Sequence, residues 1–211
     1  MTPQPMPPLV VSVAEIAHRV QAAGPRLGPT RVVLIDGPAG SGKTTLAARL
    51  WQALGSDPVL GQASIGDDAA PLPVQVLHAD DMYEGWDGLP TLGDVLIDQV
   101  LAPMARGGAG RFRVWDWHRA QRAGEVEVSR PDVLIVEGVG VAMRRAREVA
   151  SLVLWVEASP AERLRRGLAR DGEGMRDEWL RWQRAEQEEF ARQGTRAGAD
   201  ILIDGDRTLQ P

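Results

Sequence analysis

The sequence predicts an α/β fold, a P-loop three-layer sandwich in which about five parallel strands carry helices on both faces. Three observations lead there. Five apolar runs alternate with stretches of helical spacing, the βαβ rhythm of a buried parallel sheet. The first run leads into Gly37-Pro38-Ala39-Gly40-Ser41-Gly42-Lys43-Thr44, which reads G-x-x-x-x-G-K-T and opens directly onto a helical pattern. Four of the runs end in a carboxylate (Asp36, Glu137, Glu157, Asp204), and the remaining one is followed after Ala79 by Asp80 and Asp81. Charge therefore gathers at the carboxyl edge, where such sheets bind ligands.

The elements follow in order. Ser12 to Ala23 has helical spacing, with Val13, Ile16, Ala17 and Val20 on one face, and Gly24-Pro25 stops it. Arg31 to Asp36 is a strand. The helix after the glycine-rich loop carries Leu46, Leu50, Trp51 and Leu54 on one side. Gly55 to Pro73 has no period and reads as a loop. Val74 to His78 is the second strand. A helix capped by Thr91 runs to about Ala105, where Gly107-Gly108-Ala109-Gly110 breaks it. Phe112 to Trp117 reads as a short strand, and Asp132 to Glu137 and Leu152 to Glu157 as buried ones. Ser159-Pro160-Ala161-Glu162 has the pattern of a capping box. It opens an arginine-bearing helix, and Arg176 to Gln193 is a second polar helix with Trp179, Trp182, Glu186 and Phe190 roughly on one side. Ala199 to Asp204 is the last strand.

Composition narrows the function classes. At 211 residues, a single domain over 9–211 behind a proline-rich, disordered tail (1–8) is the simplest reading. The net charge of -5 leaves no electrostatic footprint for nucleic acid. The absence of cysteine excludes disulfides, thiol catalysis and Cys-ligated zinc, and His18, His78 and His118 are too scattered to suggest another zinc site. No apolar run approaches the roughly 20 residues of a membrane span. The N-terminus lacks the pattern of a signal peptide, so a cytoplasmic protein is expected.

The loop motif itself sets the first chemistry. Backbone N–H groups of a glycine-rich turn from Gly37 to Thr45 can wrap a polyphosphate, and the following helix adds its positive end. Lys43 is expected to reach the β- and γ-phosphates, and the Thr44 hydroxyl to bind Mg²⁺. A chain with no asparagine cannot supply the N-K-x-D motif of guanine-specific switches. The strand ending Val136-Glu137-Gly138 also departs from the Asp-Glu ending usual in motor-type ATPases. A small ATP-dependent kinase with a second pocket for a small-molecule acceptor remains.

At these residues the chain resembles the uridine kinase-like branch of P-loop nucleoside and small-metabolite kinases, with phosphoribulokinase and bacterial pantothenate kinase as relatives. Asp80-Asp81-Met82-Tyr83 is similar to the family's Asp-Ser-Phe-Tyr. Trp115-Asp116-Trp117-His118 with Arg119 is similar to its Tyr-Asp-Phe segment followed by His and Arg. Val136-Glu137-Gly138 matches its strand-end Glu-Gly, and Arg163 through Arg176 resembles its arginine-rich lid. The resemblance implies Asp80 as the base, with Asp81 competing for that role or joining Thr44 and Glu137 at the metal. It implies Arg166, Arg170 and Arg176 as phosphate clamps on a helical lid over about 160–193. It places Asp80, Tyr83, Asp87, Trp115, His118 and Arg119 around the acceptor, in a segment of about 80–120. Trp86, Trp115 and Trp117 are candidates for an aromatic wall. Two spacings depart from the family, both on the acceptor side: only Glu84-Gly85-Trp86 separates Tyr83 from Asp87, and the Tyr-to-His distance is short. Uridine or cytidine is the expected acceptor. Another metabolite (a sugar, vitamin precursor or nucleotide) and a non-catalytic nucleotide-binding module are the alternatives.

Overall fold

Five strands form one parallel sheet, and its order explains why both faces are buried. The structure, a computed structural model, describes residues 11–55 and 73–207. The expected tail and nearly all of the expected loop over 55–73 lie outside these residues. In chain order the elements are α1 (Val13–Ala22), β1 (Arg31–Asp36), α2 (Lys43–Leu54), β2 (Val74–His78), α3 (Leu92–Val95), α4 (Ala102–Ala105), β3 (Gly110–Phe112), β4 (Trp115–Asp116), β5 (Gln121–Arg122) and β6 (Val126–Val128). They continue with β7 (Val133–Glu137), α5 (Arg144–Arg147), β8 (Leu152–Glu157), α6 (Pro160–Asp171), α7 (Arg176–Gln193) and β9 (Ile201–Asp204).

The sheet order is β2-β7-β1-β8-β9, all parallel. β1 is therefore central. Its side chains alternate between two cores, as strand geometry requires. Val33 and Ile35 pack with Leu46 and Leu50 of α2 and Ile16 and Val20 of α1. Val32 and Leu34 face Leu92, Leu96, Val100 and Trp182. Apolar demand on both faces is why these strands read as continuous hydrophobic runs. Register then aligns the charges: Ile35 pairs with Glu137, Asp36 with Trp155, and His78 with Glu137.

Several local expectations are corrected. The helix after Thr91 contains a π-helical stretch, Leu96–Leu101, between α3 and α4. Ala102 N donates to Ile97 O, and Pro103 next to it has no N–H, so the ladder widens where the proline removes a donor. The Thr91 hydroxyl donates to Gly88 O instead of capping the helix. Ser159 makes no side-chain cap, and Glu162 turns to Arg165 and Arg166. The short strand expected over 112–117 is divided. β3 pairs with β6 and β4 with β5, in two antiparallel ribbons whose return strands are too short and polar to announce themselves.

α6 and α7 pack tightly where Gly167 lies against Trp179. A Cβ added at Gly167 would stand 2.3 Å from the indole. Gly167→Ala should therefore cost about 1–3 kcal/mol by overpacking, read as a lower urea midpoint with an unchanged slope.

Candidate active site

The glycine-rich loop joins β1 to α2 with a backbone only glycine takes comfortably. Gly37 has φ 140 and Gly40 φ 77. A Cβ at Gly37 would meet Val156 O at 2.0 Å, and one at Gly40 would meet Arg163 O at 2.7 Å. The loop is thus pressed against β8 and α6, with Pro38, Ala39, Ser41 and Gly42 completing it. Lys43, the one lysine of the chain, is 7% exposed and its Nζ donates to Pro38 O at 2.9 Å, spanning the loop. Ser41 Oγ is buried without a hydrogen-bond partner. An orphaned hydroxyl beside open glycine amides at a helix N-terminus fits a polyphosphate.

Asp36 holds the turn from below. Its carboxylate accepts from the N–H groups of Gly37 (2.6 Å), Gly140 (2.8 Å) and Ala142 (2.8 Å). Burial pushes this carboxyl up to about 6 from 3.8, against those three donors and Lys43.

Glu137, at the end of β7, is buried. Its Oε1 accepts from the Thr44 hydroxyl at 3.0 Å and lies 2.7 Å from His78 Nδ1. That contact is the main reason the His78 pKa is raised. Asp80 and Asp81 follow β2 in a 3₁₀ turn, Ala79–Asp81. Asp80 reaches solvent in the cleft yet is crowded by protein. Desolvation raises its pKa first, Glu137 adds to this, and Lys43 and Arg170 oppose it. Asp81 is raised by desolvation as well, with His78 opposing. The Thr44 hydroxyl and the Glu137 carboxylate, in contact with each other, are two oxygen donors of the kind a hard cation such as Mg²⁺ takes. No group of three or more His, Cys, Asp or Glu residues suited to a metal occurs among the described residues.

These groups face a cleft of about 590 Å³. Lys43, Thr44, Asp80, Asp81, Glu137 and Arg170 line it together with Tyr83, Trp86, Trp117, His118, Trp179 and Trp182. Arg170 stacks over Trp179 at 5.8 Å and pairs with Asp171 at 2.7 Å. Tyr83 is buried, and its hydroxyl donates to Val139 O.

The remaining expected residues lie elsewhere. Trp115 packs under Arg122 at 5.7 Å and does not line the cleft, because β4 turns it toward the ribbon. Asp87 has a side chain 89% exposed, 3.8 Å from Arg181. Arg119 is exposed and lies near Asp116. Arg176 pairs with Glu173 at the surface. Arg166 bonds Glu162, Gly40 O and Gly205 O, and lines a second cleft of about 280 Å³ with Ser41, Thr45 and Arg49. Ile203, Gly205 and Asp206 close that cleft from the end of β9.

One group was not anticipated as part of the site. Glu186 is fully buried, accepts the Ala39 N–H at 2.8 Å and pairs with buried Arg163 at 2.6 Å. Its helical alignment with Trp179 and Trp182 is visible in the sequence, but a partner 147 residues away is not.

No family model matches the chain, and no curated protein does. Among solved structures it is similar to a possible uridine kinase from Bacillus stearothermophilus, with 20% identity, 91% of this chain and 97% of that chain covered, and a TM-score of 0.58. It also aligns with a protein provisionally named a fructose transport system kinase, from Silicibacter sp. TM1040, at 18% identity over 92% and 98% of the two chains. The TM-score there is 0.49. The central parallel sheet with helices around it is a P-loop kinase fold. No helix among the described residues is long and apolar enough to cross a membrane.

Two outcomes follow. Arg163→Met leaves the Glu186 charge buried and should cost about 3–5 kcal/mol. Adding Glu186→Gln should recover part of that loss in urea unfolding, since the amide oxygen can still accept the Ala39 N–H. Asp36 gives a pH signature. Folded Asp36 keeps its proton up to about 6, while the unfolded group releases it near 3.8. The folded state therefore binds more protons between these values. Its stabilising contribution is full below about pH 4 and is lost as pH rises to about 6. The stability of wild type relative to Asp36→Asn should fall over that window and level off above it.

Proposed function

We propose that the protein is an ATP- and Mg²⁺-dependent kinase that transfers the γ-phosphoryl group of ATP to a hydroxyl of a small molecule. The sequence resemblance favours a nucleoside such as uridine or cytidine as acceptor. The observation that carries the reading is convergence. Lys43, Thr44, Glu137, Asp80 and Arg170 come from four separate parts of the chain and face one cleft shared by the glycine-rich loop and an aromatic wall.

The roles follow from placement. The loop amides and Lys43 hold the β- and γ-phosphates, while Thr44 and Glu137 hold the metal, directly or through water. Bound Mg²⁺ would supply charge neutralisation on the phosphates. His78 orients Glu137 through Oε1. Asp80 accepts the proton of the attacking hydroxyl, and its raised pKa brings it nearer the working range of a general base. Arg170, at the rim, neutralises charge on the transferring group. Its guanidinium lies over Trp179 at the edge of the cleft. Arg166 and the end of β9 flank the far side of the loop, where the nucleotide base would lie.

Lys43→Ala and Asp80→Asn should each lower acceptor-dependent ADP release on the order of a hundredfold or more. The proteins should remain folded by circular dichroism. Full turnover in both variants would rule this mechanism out.

A further inference from the structure

We infer that the buried segment 138–142, which follows β7, fixes the glycine-rich loop relative to the turn bearing Asp80, and that Asp36 and Tyr83 are the positioning residues that hold it. The inference rests on the kinase reading and adds to it a mechanical link across the cleft.

Residues 138–142 have no helix or strand of their own, yet all five are buried. A buried irregular segment must find partners for its backbone N–H and C=O groups. Side chains provide them here. Asp36 Oδ1 accepts from the Gly140 N–H and Oδ2 from the Ala142 N–H, each at 2.8 Å. The Tyr83 hydroxyl donates to Val139 O, and Arg147 Nη1 donates to Ala142 O. The Gly138 N–H donates to Ile35 O of β1 at 3.1 Å.

The two main holders belong to different sides of the cleft. Asp36 Oδ1 also accepts the Gly37 N–H at 2.6 Å, so one carboxylate ties the first glycine of the phosphate loop to the segment. Tyr83 is 1% exposed, and its N–H donates to Ala79 O at 3.1 Å, closing the turn that carries Asp80. The fit on that side is close. A Cβ added at Gly138, which has φ 148, would stand 2.3 Å from Ala79 Cβ. Gly138 and Val139 line the cleft together with Ala39, Gly40 and Asp80, and Glu137 immediately precedes them.

This arrangement gives Tyr83 a different task from the acceptor contact its motif suggested. Its ring lines the cleft, but its hydroxyl is engaged by Val139 O. Asp36 is fully buried and does not line the cleft, so it acts only through the backbone it holds. Phosphoryl transfer needs the acceptor oxygen and the γ-phosphorus within near-attack distance, and a misplacement of about 1 Å costs roughly a hundredfold. A segment gripped from both sides sets that distance.

The test uses the full chain at pH 8, where folded Asp36 is ionised. Coupled ADP release is measured with Mg²⁺, ATP and uridine, and amide hydrogen exchange is followed residue by residue. Tyr83→Phe leaves Val139 O without its donor. Asp36→Asn sets an amide NH₂ against backbone N–H groups. Each should lower kcat about ten- to a hundredfold with KM for ATP within about threefold of wild type. The double variant should lose no more than about threefold beyond the poorer single variant, because both act through one segment. Ile16→Val trims the core on α1 and should leave kcat unchanged, which separates positioning from mere loss of stability. Tyr83→Phe should also speed exchange about tenfold or more at Gly140, Ala142 and Gly37, the last being an amide that Tyr83 does not bond.

Rate losses that multiply in the double variant, with faster exchange confined to 138–142, would overturn the inference and leave the kinase reading standing. A raised KM for ATP with unchanged kcat in both single variants would overturn it as well. If wild type releases no ADP with uridine, the kinase reading fails for that acceptor and exchange alone decides the inference. Faster exchange at Gly37 in Tyr83→Phe then supports the link, and an unchanged Gly37 overturns it.

Discussion

Glu186 sits fully buried on α7, with one oxygen on the Ala39 N–H of the glycine-rich loop and the other on the Arg163 guanidinium of α6. Burying two charges costs several kcal/mol each in desolvation, which the Arg163 Nη1 contact with Glu186 and the Ala39 N–H offset, while Arg163 Nε has no partner. Arg163 backbone atoms also press on Gly40, where any side chain would collide. The loop is therefore shaped by two forces: the strand and helix that bracket it, and a clasp from the helices on its far side. A loop whose amides must point inward together benefits from such outside restraint.

The same helix carries the clasp and part of the cleft's aromatic lining. Trp179, Trp182 and Glu186 recur at spacings of three and four, which places them on one face. Trp182 packs edge-on against Tyr83 at 5.1 Å, and Trp179 fits over Gly167. The helix that grips the glycine-rich loop thus also lines the cleft. The sheet contributes the opposite wall. β1 and β7 deliver Asp36 and Glu137 to the same edge by register, and β2 brings His78 opposite Glu137.

Much of this was legible in the sequence because it rests on local pattern. The five strands are short apolar runs, and G-x-x-x-x-G-K-T needs only its neighbours to be recognised. Arg176–Gln193 is bounded as its spacing suggested. Asp80, Glu137, Arg170 and His118 meet in the cleft because each sits beside a strand end or on a helix whose place in the fold is constrained. What stayed hidden depends on long-range partners. Glu186 aligns with Trp179 and Trp182 in the sequence, but its partners Arg163 and Ala39 are not visible there. Asp36 reads as a strand end until Gly140 and Ala142 fold back onto it. Trp115 lies in β4 while Trp117 lies in the turn that follows, so the same-face rule for residues two apart in a strand does not apply, and only Trp117 reaches the cleft. The ribbon over 110–128 was missed because its strands are two or three residues long.

The central claim is that the loop holds a polyphosphate through its amides and Lys43. Thermal unfolding with Mg²⁺ and ATP, ADP or AMP tests it most directly. A ligand at a hundred times its Kd adds about 2.7 kcal/mol, or roughly 5–10 °C for a chain of this size. ATP and ADP should raise the midpoint by that order, and AMP, which lacks the β-phosphate, should leave it nearly unmoved. An equal shift with AMP, or no shift with millimolar ATP, would contradict the account.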